Sequence, residues 1–234
     1  MDKRASVVLV TGGGRGIGRA VCRKFARSGW QTVAISRTQG ELQETASIVA
    51  GEGGRCAIDV ADVADPSAMG ATVKHAVDEY GRIDALINCA GVAAVAGVEA
   101  MTPEDLDGML SVNVRGVFLA CRAVWPLFKE QHDGVIVNIS SVASVDPFPG
   151  LVAYGGTKAW VNIWSKGLAD EGRPHGICVF AVAPGAVETK MLRDAFPDFP
   201  ADRTLDSADV ADMVYQLALP QCRHASGQTI MVQK

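Results

Sequence analysis

The chain has 234 residues, 48% of them hydrophobic, and 22 lysines and arginines against 26 aspartates and glutamates give a net charge of −4. That length suits one sizeable α/β domain over residues 1–234, and the acidic balance argues against nucleic acid as a partner. No apolar run approaches the roughly 18 residues of a membrane helix, the start Met1–Ser6 is too short and polar for a signal peptide, and six cysteines scattered singly, without CxxC or Cys/His clusters, suit a reduced cytoplasmic protein with no metal site.

Val7–Val10 is a run of four apolar residues, expected as a strand buried on both faces in a parallel sheet. Thr11 and a glycine-rich turn follow, and a helical pattern begins at once. Gly12 and Gly16 can take positive φ and let backbone approach a ligand closely. Gly18 lets the helix lie tight on the sheet, while free N–H groups of its first turn point at an anion. The spacing is TGxxxGxG rather than GxGxxG, yet strand, turn and helix in this order favour a dinucleotide site.

The second strand, Thr32–Ile35, ends at Ser36-Arg37. An acidic residue there would suit a ribose 2′-hydroxyl; a hydroxyl and a guanidinium, with Arg15 in the glycine turn, suit a 2′-phosphate instead, and so NADP(H) over NAD(H). Arg55–Val60 is a third strand whose Asp59 can accept from an adenine amino group or simply start the next turn. Asp65-Pro66 reads as N-cap and first residue of a helix that Gly81 ends. Asp59, Asp62 and Asp65 lack the glycine and glutamate of a calcium loop.

Ala85–Ile87 is a fourth strand, left by a tight turn at Asn88-Cys89-Ala90-Gly91. Thr102, Pro103 and the acids after them make a helix start. The helix expected over Ser111–Gln131 carries Asn113 among valines, a residue equally suited to core hydrogen bonding and to function. Val135–Ile139, the fifth strand, delivers Ser140-Ser141 at its carboxyl end, where open α/β sheets place their sites. Tyr154 and Lys158 follow at i and i+4 on one helix face; an ammonium there lowers a phenol's pKa toward neutrality and makes it a usable acid. Ile177–Ala183 is the sixth strand, Met191–Arg203 an apolar loop expected to act as a lid over 190–206, and Ser207 the cap of a helix over Ala208–Leu219. Gln228–Val232 is the last strand. This alternation predicts a doubly wound, Rossmann-type parallel sheet of about seven strands with helices on both faces.

These residues together resemble the short-chain dehydrogenase/reductase family over the whole chain. TGGGRGIG (11–18) resembles its cofactor motif, which makes Thr11, Gly12, Gly14, Arg15, Gly16, Ile17 and Gly18 expected cofactor contacts, with Ser36 and Arg37. Asp59-Val60 resembles the adenine-contacting pair, and Asn88-Cys89-Ala90-Gly91 the family's NNAG strand end with cysteine for an asparagine. Pro184-Gly185 through Val187 and Thr189 resembles the segment holding the nicotinamide side. Ser141, 13 positions before Tyr154, matches with Tyr154 and Lys158 the catalytic triple, and Asn113 in VNVRG the fourth member.

The resemblance implies an NADPH-dependent carbonyl reductase, reversible as a secondary-alcohol dehydrogenase. Tyr154 would donate its proton to the carbonyl oxygen, and Ser141 would stabilise charge on that oxygen. Lys158 would tune the phenol and bind the nicotinamide ribose, and Asn113 would hold a relay water. The expected pocket, Ala93–Gly97, Val142–Phe148 and Met191–Phe199, is apolar with few charges, which fits a 3-oxoacyl thioester or a hydrophobic ketone. Gly155-Gly156 would loosen the start of the catalytic helix. Trp160 and Trp164 share another face of that helix, and the family implies a homodimer or homotetramer. The competing reading is a non-catalytic, redox-sensing NADP-binding module, which would have no need of Ser141, Tyr154 and Lys158 together.

Overall fold

Val7–Thr11 (β1) alternates its side chains across the sheet: Val7 and Leu9 enter one core, Val8 and Val10 the other, and none is more than 1% exposed. A computed structural model describes residues 5–234; the first four residues of the start read as too polar for a signal peptide lie outside them. Strands β2 (Gln31–Ser36), β3 (Arg55–Val60), β4 (Ala85–Asn88), β5 (Gly134–Ile139), β6 (Ile177–Pro184) and β7 (Thr229–Val232) complete a seven-stranded sheet. Its order is β3-β2-β1-β4-β5-β6-β7 and every pairing is parallel.

Helices α1 (Gly16–Arg27), α2 (Gln39–Gly51) and α8 (Ser207–Leu217) cover one face with Phe25, Leu42 and Val214. Helices α3 (Pro66–Tyr80), α5 (Val117–Gln131) and α6 (Val152–Gly172) cover the other with Met69, Phe128 and Val161. Each such large side chain, wholly buried, is worth about 1.5–3 kcal/mol. Strand order reverses between β1 and β4, and a crevice opens there at the carboxyl ends of the strands. No helix of the described residues is long and apolar enough to cross a membrane.

Three elements differ from the sequence reading. The helix start read at Thr102-Pro103 forms as α4 (Pro103–Met109), capped by Thr102 and Asp105, but it is continuous with the run expected from Ser111, passing through a π-helical turn, Leu110–Gly116, into α5. The segment expected as a lid is not all loop, because Thr189 caps a short helix, α7 (Lys190–Ala195), and Lys190 pairs with Asp194 one turn on. Asp206, not Ser207, caps α8: its carboxylate accepts from Ala208 N at 2.8 Å, and Asp209 returns a bond to its backbone.

Candidate active site

The glycine turn folds as its positive φ values require, Gly12 at +67° and Gly16 at +51°. A Cβ on Gly12 would stand 2.8 Å from Ala90 N, and one on Gly18 2.1 Å from Gly12 O, so neither position admits a side chain. The α2 residue Thr45 donates to the carbonyls of Gly13 and Gly14 at 3.0 Å and fixes the turn from below. Arg15, at the N-cap of α1, supplies no side-chain cap. The first N–H groups of α1 therefore keep their donor capacity for a ligand.

The cleft over this turn is lined by Gly12, Gly14, Arg15, Gly16, Ile17 and Gly18, by Ser36 and Arg37 at the end of β2, and by Ala90 and Gly91 beyond β4. It runs on past Ile17, Gly91 and Thr189 into a second hollow of about 620 Å³. Ser141, Tyr154, Lys158, Pro184, Gly185 and Val187 line that half. Thr11, Asn88 and Asn113 are buried behind the walls and hold them together. Ala90 N donates to Thr11 Oγ1 at 3.2 Å, and Asn88 Nδ2 to Asn138 Oδ1 at 2.8 Å.

Asp59 and Val60 are not brought to the cleft. Asp59 lies 3.7 Å from His75 Nδ1, on α3, and the Val60 side chain faces solvent. The chain turns inward only after Ala61 N has bonded to Ser36 O, so Asp62 and Val63 line the cleft in their place. The sequence repeats Asp-Val-Ala-Asp at 59–62 and 62–65. Only the second copy runs into the capping Asp65-Pro66, and that was the signal to read. Each cleft arginine has a carboxylate near it, Arg15 with Glu41 at 3.7 Å and Arg37 with Asp62 at 3.6 Å.

Ser141 ends the loop after β5, its Oγ accepting from Ala143 N at 3.2 Å. Tyr154 stands in the first turn of α6. Gly155 lets that turn close down, because a Cβ there would meet Ala143 O at 2.4 Å. The glycine therefore serves close packing, where the sequence reading had it loosening the helix. Lys158, 4% exposed, donates to Ile139 O at 2.8 Å with its Nζ 5.7 Å from the centre of the Tyr154 ring.

Burial pushes the phenol up to about 12 against a hydrogen bond with Ser141 that lowers it, the opposite of the expected fall toward neutrality. Desolvation also brings the Lys158 ammonium down to about 8. In a site this dry, charge on either group is disfavoured before attraction between them counts.

Asn113 sits in the π-helical turn. Its Oδ1 accepts from Val92 N at 2.9 Å, and its Nδ2 donates to Val92 O at 2.8 Å and Thr157 Oγ1 at 3.1 Å. Arg203 and Leu205 come from the segment expected as a lid; residues that sequence reasoning did not place at the site are Leu151, Gln233 and Lys234. They arrive from segments far apart in the chain and carry no local pattern.

A phenol, a hydroxyl and a buried ammonium on one wall, beside a glycine-turn crevice of a parallel sheet, define a proton-handling oxidoreductase site of the Rossmann class. The family model described as short chain dehydrogenase matches residues 6–199, and the chain belongs to that family of oxidoreductases acting on CH–OH and C=O groups. It is 37% identical over 240 residues to a 2-(R)-hydroxypropyl-CoM dehydrogenase of Xanthobacter autotrophicus, covering 97% of this chain and 96% of that protein. Among solved structures, a 3-ketoacyl-(acyl-carrier-protein) reductase from Brucella melitensis complexed with NADH superposes with a TM-score of 0.90 at 32% identity, covering 97% of this chain and 96% of the other. A variant of actinorhodin polyketide ketoreductase with NADPH gives 0.94 at 27% identity, covering 100% and 98%.

Proposed function

We propose that the protein is an NADPH-dependent reductase of apolar ketones or aldehydes, reversible as a secondary-alcohol dehydrogenase, with a lid formed by residues 190–206. The observation that carries this reading is the convergence of Ser141, Tyr154 and Lys158 on the wall of a hollow continuous with the glycine-turn cleft. A bound nicotinamide supplies or accepts the hydride; the residues that would hold it are the glycine turn, Ala90-Gly91 and Pro184–Thr189. Tyr154, kept neutral by burial, is the proton donor to the substrate oxygen. Ser141 donates to that same oxygen and stabilises its developing charge.

Protons return to the site through Lys158. A Cβ at Gly91 would stand 3.4 Å from Asn113 Oδ1 and 3.5 Å from Lys158 Nζ, so the space above Gly91 spans both groups within hydrogen-bond reach. Asn113 has both N–H donors engaged and one lone pair of Oδ1 to offer there.

The preference for NADP(H) rests on Arg15 and Arg37. Their side chains are 51% and 65% exposed and their carboxylate partners loose, so both can turn to a 2′-phosphate. Six free cysteines fit the reducing cytoplasm. For assembly, α6 presents Val152, Gly156, Trp160, Ile163 and Gly167 along one stripe, apolar or small throughout, which suits a homo-oligomer packed helix to helix.

The test is loss of NADPH absorbance against a panel of an acetoacetyl thioester, an aryl ketone, a diketone and a quinone, with NADH in parallel. Turnover with NADPH about tenfold or more faster than with NADH supports the reading, a ratio worth about 1.4 kcal/mol. Equal use of both cofactors removes the arginine argument. Binding of NADPH without turnover of any member contradicts the reductase.

A further inference from the structure

The substrate half of the cleft has no carboxylate side chain on its lining, yet it carries two exposed cations, Arg203 and Lys234. Their surroundings differ from those of neighbouring cations. Lys190 and Arg193 are each held by an acid, Asp194 at 2.6 Å and Glu188 at 2.5 Å. Among the described residues Arg203 makes no ion pair.

Lys234 Nζ donates at 3.2 Å to the carbonyl of Thr204, the residue that follows Arg203. Glu188, whose Oε2 accepts from Thr204 Oγ1 at 3.3 Å, is already neutralised by Arg193. The two cations thus line one hollow with Phe196 and Phe199, and no carboxylate side chain on that lining neutralises them. An oxyanion in that hollow meets no competing carboxylate side chain, and a guanidinium binds it in a planar fork.

We propose that Arg203 and Lys234 form an anion subsite that selects substrates with an apolar body and a carboxylate, sulfonate or phosphate group remote from the carbonyl. This rests on the reductase reading and names its substrate class. It places the few charges of an otherwise apolar pocket at one subsite. Arg203 carries the larger share, because the Lys234 ammonium is partly engaged by Thr204.

The experiment compares kcat/KM for aryl ketones ending in a carboxylate, sulfonate or phosphate with the matching methyl esters, in wild type, Arg203→Gln and Lys234→Gln. The anionic members are favoured about tenfold or more, chiefly through KM, and added salt narrows the gap. Arg203→Gln collapses the ratio more than Lys234→Gln does, and Arg203→Glu shifts preference toward a ketone bearing an ammonium. The three anions rank the oxyanion chemistry. Esters reduced as well as anions, or a ratio unmoved in Arg203→Gln and Arg203→Glu, overturns the subsite while leaving the reductase standing. If no ketone in either form is reduced with either cofactor, the reductase reading falls and the subsite with it.

Discussion

Lys158 concentrates the residue-scale chemistry, because it is a charged group held where charge is disfavoured. Its folded pKa of about 8 lies below the ordinary lysine value of 10.5, so carrying the proton costs the folded state about 3 kcal/mol at neutral pH. The cost is fully present below about pH 8 and is relieved between there and 10.5, where the unfolded chain holds the proton that the folded one has released. Lys158→Met should therefore be inactive yet melt higher at pH 7, with the advantage shrinking above pH 8; a lower melting temperature across that range contradicts the burial argument.

The same titration sets the pH profile. Carbonyl reduction should fall as pH rises through about 8, while the phenol, held near 12, stays protonated throughout. A rate that holds level to pH 10 would show that the lysine is not the titrating group. The spacing Tyr154–Lys158 made this pair legible in the sequence. The direction of the phenol's shift was not, because it depends on how dry the site is, and that is set by chain segments from β5, α6 and α7 meeting. Asp59 was read for Asp62 because the two stand in identical Asp-Val-Ala-Asp copies: the point where β3 leaves the sheet decides which carboxylate faces the cleft, and only the capping Asp65-Pro66 after the second copy marks it.

At the scale of elements, the turn glycines are where sequence and geometry agree most closely. Gly155 and Gly70 both lie in helices, but a Cβ at Gly155 meets backbone at 2.4 Å whereas one at Gly70 meets nothing within 4 Å. Gly155→Ala should destabilise by about 1–3 kcal/mol and slow turnover by displacing Tyr154, while Gly70→Ala should stabilise by up to about 1 kcal/mol. Urea midpoints with unchanged slopes would measure both, and equal effects at the two sites would refute the packing account. The strands were readable because each is a short apolar run between turn signals. The π-helical turn at Leu110–Gly116 was not, since it forms where Asn113 clasps the backbone of Val92, 21 residues away. The short helix α7 was missed because six residues capped by one threonine leave little periodicity to detect.

At the scale of the molecule, alternating strands and helices were enough to foresee a doubly wound sheet, and its order puts the switch point between β1 and β4 beneath the cleft. The joining of the two hollows was not legible, nor was the arrival of Lys234, because each depends on segments far apart in the chain. The same scale carries the assembly prediction. Phe118 meets Trp164 edge-on at 5.7 Å, Trp164 stacks on Trp160 at 5.1 Å, and Ile163 beside them is 73% exposed. Light scattering should find a dimer or tetramer, and Ile163→Arg should shift it toward monomer; a wild-type monomer at micromolar concentration would contradict the helix-to-helix interface.

The central claim is that Tyr154 gives the proton and the glycine turn holds the cofactor independently of it. The most direct test follows NADPH in two ways, by fluorescence on binding and by absorbance during turnover of an apolar ketone, in wild type and Tyr154→Phe. The account predicts that both proteins bind NADPH alike and that the variant loses about 10²–10⁴ in kcat. A variant that reduces the ketone at the wild-type rate contradicts it.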